Sequence, residues 1–509
     1  MSGFETLERL LAIGKDMDAA IGAPERAPLT YAELRTLTRD TVARLNALGI
    51  GRNDRVAIVC SNGPEMAAAF AAIAAGAATA PLNPAYRADE YEFYLSDLKA
   101  KALAIERGLD NPAVEVAQRL GVPIVDLVPL RDGPAGMFAL EPRGVTPVAA
   151  ARAGGFAEAG DVALVLHTSG TTSRPKIVPL SQANIRASAR HIGATLRLTP
   201  EDRCLNIMPL FHIHGLIAAV LSSLAAGASV VCTPGFNALK FFAWLDEAKP
   251  SWYTAVPTMH QAILQRAPRN AEIIARNRLR FIRSSSSSLP PQVLAQLEET
   301  FGAPVIEAYG MTEAAHQMAS NPLPPAPRKP GSVGIAAGPE IAIMAEGDAL
   351  AAPGAIGEIV IRGPNVTSGY DNNPAANQGA FTAGWFRTGD QGAIDEAGYL
   401  TLTGRLKELI NRGGEKISPR EVDEVLMDHP AVAQVVTFAM PHAMLGEDVA
   451  AAAVLRDGAQ ASERELRDFC SQRLADFKVP RKIVFLDEIP KGATGKLMRI
   501  GLAEKLGLV

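Results

Sequence analysis

Hydroxyl side chains and a glycine crowd into one short stretch, His167-Thr168-Ser169-Gly170-Thr171-Thr172-Ser173-Arg174-Pro175-Lys176, directly after an apolar run at 162–166. A turn of that composition can aim backbone N–H groups and hydroxyls at a single anion, and Lys176 adds positive charge at its far end. The spacing is not that of a Walker A loop, because no Gly-Lys-Ser/Thr closes it. Taken alone, the stretch reads as a solvated polar loop, so the rest of the constellation must decide. A second concentration is His212-Ile213-His214. On a strand, alternate residues point the same way, which would suit a metal. No third or fourth ligand follows at useful spacing, so zinc is set aside, and a packed histidine pair is the other reading. Five consecutive serines, 284–288, form a third polar concentration at an expected strand end.

Positioning such groups takes a sizeable scaffold. The chain has 509 residues, enough for roughly three structural units. It is 48% hydrophobic and 20% charged, the profile of a globular protein with ample core. Fifty basic residues against 54 acidic give a net charge of −4, without a basic stripe, which argues against a nucleic-acid or anionic-membrane partner. The four cysteines are scattered, without metal spacing, as expected in a reducing cytoplasm. The first fifteen residues lack the order of a signal peptide, and the final residues are not a peroxisomal address. The alanine-rich run at 66–82, broken by Gly76 and Pro81, is too short and weak to span a bilayer and reads as a buried helix followed by a strand.

Strand and helix alternate over most of the chain. Thr30 and Glu33 have capping-box spacing, and an apolar periodicity follows to Leu48. Short apolar runs at 56–60, 79–82, 102–105, 162–166, 229–232 and 281–283 suit buried parallel strands, covered by helices on both faces. After a proline-rich stretch at 322–331, strand-and-turn text at 341–344, 357–362 and 398–402 predicts a small antiparallel or barrel-like subdomain. From about residue 404 a compact α+β unit is expected. Ser418, Pro419 and Glu421 mark a helix start, runs at 432–440 and 449–455 follow, then a helix near 462–477 and a strand at 483–486.

The hydroxyl-rich stretch resembles the signature of the AMP-forming acyl-CoA synthetase superfamily, which also includes peptide-synthetase adenylation domains and luciferases. Further motifs follow in the family's order: Tyr309-Gly310-Met311-Thr312-Glu313, Trp385 to Asp390 (WFRTGD), Gly404-Arg405-Leu406-Lys407-Glu408, and Lys496 in PKGATGK. The resemblance implies an α/β fold, with a large adenylation domain over 1–404 whose β-rich part is about 335–404. It also implies a hinge at 405–407 and a mobile C-terminal domain over 408–509. It implies ATP, Mg²⁺ and coenzyme A as reactants and cofactor. Thr168, Ser169, Gly170, Thr171, Thr172, Lys176, Glu307, Ala308, Tyr309, Gly310, Thr312, Asp390, Arg405 and Lys496 would serve the nucleotide. Glu313 would hold Mg²⁺, a hard cation that prefers oxygen ligands. Lys496, Thr312 and Glu313 would be catalytic, Lys407 the hinge, and Gly413 and Gly414 would border the pantetheine path. A carboxylate must meet the α-phosphorus of ATP, so the work is positioning and charge neutralisation.

By the same resemblance, segments around His212, His214, Ser286 and His316 border the acid's pocket. Their polarity suits a second carboxylate better than a fatty chain. Longer runs (HTSGTTSRPK, EAYGMTEAAHQMASNPLP, RGPNVTSGY, LKELINRGGEKISP) are similar to the oxalate–CoA ligase group of this superfamily, which implies oxalate as the acid. Ser173, shared with that group, and Ile177 depart from the wider pattern. Competing readings keep the mechanism with another short or medium-chain acid, load a carrier protein in place of coenzyme A, or make the chain a nucleotide-binding regulator without turnover.

Overall fold

The computed structural model describes residues 6–144, 151–168, 175–491 and 497–508. The alternation of strands and helices resolves into two large sheets with parallel centres. In the seven-stranded sheet, Ile124–Pro129, Ala102–Glu106, Arg55–Val59, Ala78–Pro81 and Val162–Thr168 are parallel, and Phe138–Pro142 and Lys176–Ser181 close the edges antiparallel. In the nine-stranded sheet, Val305–Met311, Phe281–Ser284, Trp252–Ala255, Arg203–Asn206, Ser229–Cys232 and Ala19–Ala23 are parallel neighbours. Arg26–Thr30 lies antiparallel at one edge, and His316–Ser320 with Ile335–Ala336 at the other.

The expected strands read as continuous apolar runs because both faces of each sheet are covered. Helix Pro64–Ala74 is buried along its whole length. It packs on Ala78–Pro81 of one sheet and on Ala19–Ala23 and Ser229–Cys232 of the other. Alanine at most positions keeps the helix thin enough to lie between them. No helix among the described residues is long and apolar enough to cross a membrane. The helix Tyr31–Ala47 begins with the expected capping box, in which Thr30 and Glu33 satisfy each other's backbone N–H.

A five-stranded antiparallel sheet follows, with Glu340–Met344, Gly357–Arg362, Trp385–Ile394, Phe381–Thr382 and Leu400–Arg405. Its last strand starts later than the expected 398, because the Asp395 carboxylate accepts from the N–H groups of Ala397 and Tyr399 and holds a turn there. Its ten-residue strand Trp385–Ile394 was hidden by polar text and by Gly389, whose φ of +73° breaks the alternation.

The C-terminal sheet pairs Glu415–Ile417, Ile410–Arg412, Gly446–Leu455 and Val432–His442 antiparallel, with Lys482–Phe485 added in parallel. Two local expectations need correction. The helix near 462–477 stops at Ser471, and a short 3₁₀ turn, Asp476–Lys478, follows. Ser418 sits at the N-cap of Pro419–Met427 without forming the capping box. Its hydroxyl donates to the Thr403 carbonyl, and Glu421 pairs with Lys478 at 2.7 Å. Ser418 thereby ties the helix start to the strand before the expected hinge. Hydrogen bonds from this unit to the rest of the chain include Arg420 to the Gly331 carbonyl at 3.4 Å and Gln434 to Gln261 at 3.3 Å.

Candidate active site

Asp390 lies near the middle of Trp385–Ile394, directly across the ladder from Arg405, whose Nε donates to its Oδ1 at 3.1 Å. The Tyr309 hydroxyl, from Val305–Met311, donates to Oδ2. Glu358 fixes the approach to this residue by accepting from the Gly389 N–H at 3.0 Å and from Arg387 at 2.8 Å. Asp390 is buried, and burial together with its negative charge pushes the Tyr309 hydroxyl far above its ordinary pKa. Tyr309 therefore remains a donor at any physiological pH. A carboxylate offers about four acceptor positions, so Asp390 can hold both neighbours and still receive further hydroxyls.

Arg405 also lies close enough to act on the charge of Glu313, in the short turn Thr312–Ala314. Glu313 is buried, which raises its pKa, while Arg405 and Lys176 pull the other way. The Tyr370 hydroxyl donates to Glu313 Oε1 at 2.9 Å, and Lys176 Nζ stands over the Tyr370 ring, 4.3 Å from its centre. Lys176 faces Thr168 across the hairpin that carries the hydroxyl-rich turn. Lys176 is thus brought close to Glu313, with Thr168 across the ladder from it. Ser169, Gly170, Thr171 and Thr172 lie outside the described residues, as does Lys496. Tyr370 was missed by sequence reasoning. It sits inside one of the family-like runs, but no local pattern marks it as the bridge between Lys176 and Glu313.

Glu307 does not reach toward an open site. Its Oε1 accepts from the Leu289 N–H at 2.9 Å, pinning the end of the serine run, and burial raises its pKa from 4.5 to about 7. Ser285 donates to the Ala308 carbonyl at 2.8 Å from the same loop. Because the folded protein holds the Glu307 proton more tightly than the unfolded chain does, its ionisation erodes stability as pH rises from 4.5 through 7. Glu307→Gln keeps the acceptor and removes the charge. At pH 8 it should therefore be more stable than the parent by roughly 3 kcal/mol, at about 1.4 kcal/mol per pKa unit. The difference should vanish near pH 4, and urea unfolding at the two pH values measures it. Gly310 is required sterically, since a Cβ there would lie 1.8 Å from the His316 carbonyl oxygen.

The acid-facing residues also converge, but not on a strand as expected. His212 lies in the bend before a π-helical segment, His214–Leu221, so the two histidines do not share a strand face. His212 Nδ1 accepts from the His214 N–H at 3.3 Å. His214 is buried, with Nδ1 2.9 Å from Ser286 Oγ, Nε2 2.6 Å from Thr254 Oγ1, and its ring edge-on to His316 at 5.1 Å. Ser286 and His316 take positive φ values of +75° and +103°, a conformation costly for residues with a Cβ and often found at functional positions. Arg283, also missed, lies beneath them, fully buried. Its signal was a charged residue inside a strand otherwise read as apolar.

Lys407 stands exposed in the turn after Leu400–Arg405. Gly413 and Gly414 turn the hairpin between Ile410–Arg412 and Glu415–Ile417 with φ of +62° and +103°. In their described hydrogen bonds the Gly413 N–H donates to the Leu445 carbonyl and the Gly414 N–H to Asn411 Oδ1, contacts that stay within the C-terminal sheet and do not reach the nucleotide-side groups.

The sequence model of the AMP-binding enzyme family matches residues 11–371, and that of the AMP-binding enzyme C-terminal domain matches 421–496. An oxalate–CoA ligase of Arabidopsis thaliana is 46% identical, covering 94% of both chains. One from Saccharomyces cerevisiae is 44% identical over 89% of this chain and 87% of its own. The crystal structure of ATP-bound MatB from Rhodopseudomonas palustris, 30% identical, superposes with a TM-score of 0.87 over 99% of each chain. With the motifs clustered as the geometry shows and both family models matched, the chain belongs to the AMP-binding enzymes.

Proposed function

We infer that the protein joins an organic acid to coenzyme A through an acyl-adenylate, releasing pyrophosphate and then AMP, and that the acid is oxalate. The observation that carries this reading is the joining of Asp390, Tyr309 and Arg405 to Glu313, Tyr370 and Lys176, a few side chains from a buried polar cluster around His214. The first group suits a ribose and a polyphosphate, and the second suits a small charged acid. The two similar oxalate–CoA ligases support the choice of acid. In the first step a carboxylate oxygen of the acid attacks the α-phosphorus and pyrophosphate leaves. In the second, the thiol sulfur attacks the acyl carbon and AMP leaves.

One acidic side chain at the phosphate end fits Mg²⁺, which keeps most of its waters and phosphate ligands and uses few protein carboxylates. Glu313 would hold it, and the ion would neutralise phosphate charge. Lys176, Thr168 and Thr312 would contribute further positive charge and hydroxyls. The free, buried cysteines accord with a cytoplasmic setting.

A panel of monocarboxylates and dicarboxylates with ATP and coenzyme A, the thioesters identified by mass, tests the proposal. Oxalyl-CoA should dominate, and preference for a monocarboxylate would overturn the choice of acid. His316→Ala should raise the KM for oxalate at least about tenfold, the effect of losing one good polar contact, while the KM for ATP stays within about twofold.

A further inference from the structure

Arg283 has no role in the mechanism above, yet its position is costly. The guanidinium is fully buried at the end of Phe281–Ser284, its Nε lacks a hydrogen-bond partner, and no described carboxylate forms an ion pair with it. Burial lowers its pKa to about 9, so it remains charged at neutral pH. A buried, uncompensated cation is expensive unless an anion arrives to balance it. Its contacts run toward the acid-facing cluster. Nη2 donates to Gln317 Oε1 at 3.3 Å, and Nη1 approaches His214 Nε2 at 3.5 Å.

Proton inventory then orders the cluster. A guanidinium can only donate, so the His214 nitrogen facing it must present its lone pair, and Thr254 can donate to the same atom. The imidazole proton is left on Nδ1, which faces Ser286 Oγ at 2.9 Å. Ser286 thus accepts from His214, and its own hydroxyl hydrogen points elsewhere. Ser286 is partly exposed, at the boundary between this network and the open side of the site. The charged and titratable groups around His214 in these contacts are Arg283, His316 and His212. None is acidic, and none favours a doubly protonated ring.

We propose that Arg283 is a positioning residue for acid selection: it fixes His214 as the neutral Nδ1–H tautomer, which turns the Ser286 hydroxyl into a donor for the acid's second carboxylate, and its charge balances that carboxylate. This rests on the reading of the substrate as a small dicarboxylate. A monocarboxylate would leave the Ser286 donor and the Arg283 charge unanswered.

Two measurements on the full-length protein test it. In ¹⁵N-histidine NMR of the substrate-free protein, with the His214 signals assigned by their loss in His214→Gln, the proton should sit on Nδ1. In Arg283→Met that preference should weaken. Kinetically, Arg283→Met should raise the oxalate KM roughly 10- to 100-fold with the ATP KM unchanged, and Arg283→Lys should recover part of the loss. A proton on Nε2 in the parent protein overturns the inference whichever acid is used, and needs no variant to fold. An unchanged oxalate KM in a folded Arg283→Met also overturns it. The substrate-free tautomer is independent of the acid's identity, so failure of the oxalate reading appears separately, in the parent's own substrate panel.

Discussion

Lys496→Ala should abolish ATP–pyrophosphate exchange, with a loss of roughly 100- to 1,000-fold, while leaving thioester formation from supplied acyl-adenylate within a few-fold of the parent. Two anions, the carboxylate and the α-phosphate, must approach in the first step, and a group aimed at the developing charge is worth about that much. In the second step a thiol rather than a carboxylate approaches, it attacks the acyl carbon rather than the phosphorus, and pyrophosphate has already left, so the same lysine is not required there. On the reading of Lys407 as the hinge, the two steps use different placements of the C-terminal unit. Lys407 is exposed in a turn, and Leu406 beyond the strand end donates to the Gly389 carbonyl at 3.0 Å, next to Asp390. Arg499, three residues past the lysine, binds Glu408 at 3.3 Å and partly buried Asp423 at 2.8 Å. Arg499 thereby ties the segment at 497–499 to Glu408, next to the proposed hinge. Separate assays of the half-reactions decide the matter, and an equal loss in both would contradict this role.

Asp390→Ala should reduce kcat/KM for ATP by roughly 100-fold or more, chiefly through KM, while kcat/KM for supplied acyl-adenylate falls too, because on the proposed reading Asp390 holds the same ribose in both steps. The alanine also leaves a buried Tyr309 hydroxyl and the Arg405 Nε without their acceptor. An unsatisfied buried donor costs about 1–3 kcal/mol, so the variant should also unfold at lower urea concentration. Asp390→Asn separates the effects. It restores one acceptor and most of the packing, so stability should return further than ATP affinity does. Calorimetric titration of ATP with urea unfolding of both variants measures the split, and unaltered ATP binding in Asp390→Ala would remove the residue from the nucleotide site.

Much of the fold was legible because its signals are local. Buried parallel strands such as Arg55–Val59 announce themselves as apolar runs, and the Thr30–Glu33 capping box is written in four residues. The candidate site was named through runs carried by resemblance, and of those residues Asp390 bonds to Tyr309 and Arg405, with Arg405 acting on the charge of Glu313. What was hidden depends on tertiary partners. Ser418 has the sequence of a capping box, but the nearby Thr403 carbonyl competes successfully for its hydroxyl. His212-x-His214 alternates like a strand, but its second member starts a π-helical turn, which periodicity could not distinguish. Arg283 and Tyr370 gain significance only from residues far along the chain.

The hairpin Ala19–Ala23 and Arg26–Thr30 completes the nine-stranded sheet by pairing in parallel with Ser229–Cys232, roughly 200 residues later. During synthesis at about 5–20 residues per second, that early segment must wait on the order of 10–40 s for its partner to leave the ribosome. Until then its apolar edge stays open to association with other nascent chains. Overexpression yield should therefore respond to chaperone supply and growth temperature more strongly than the stability of the finished protein would suggest.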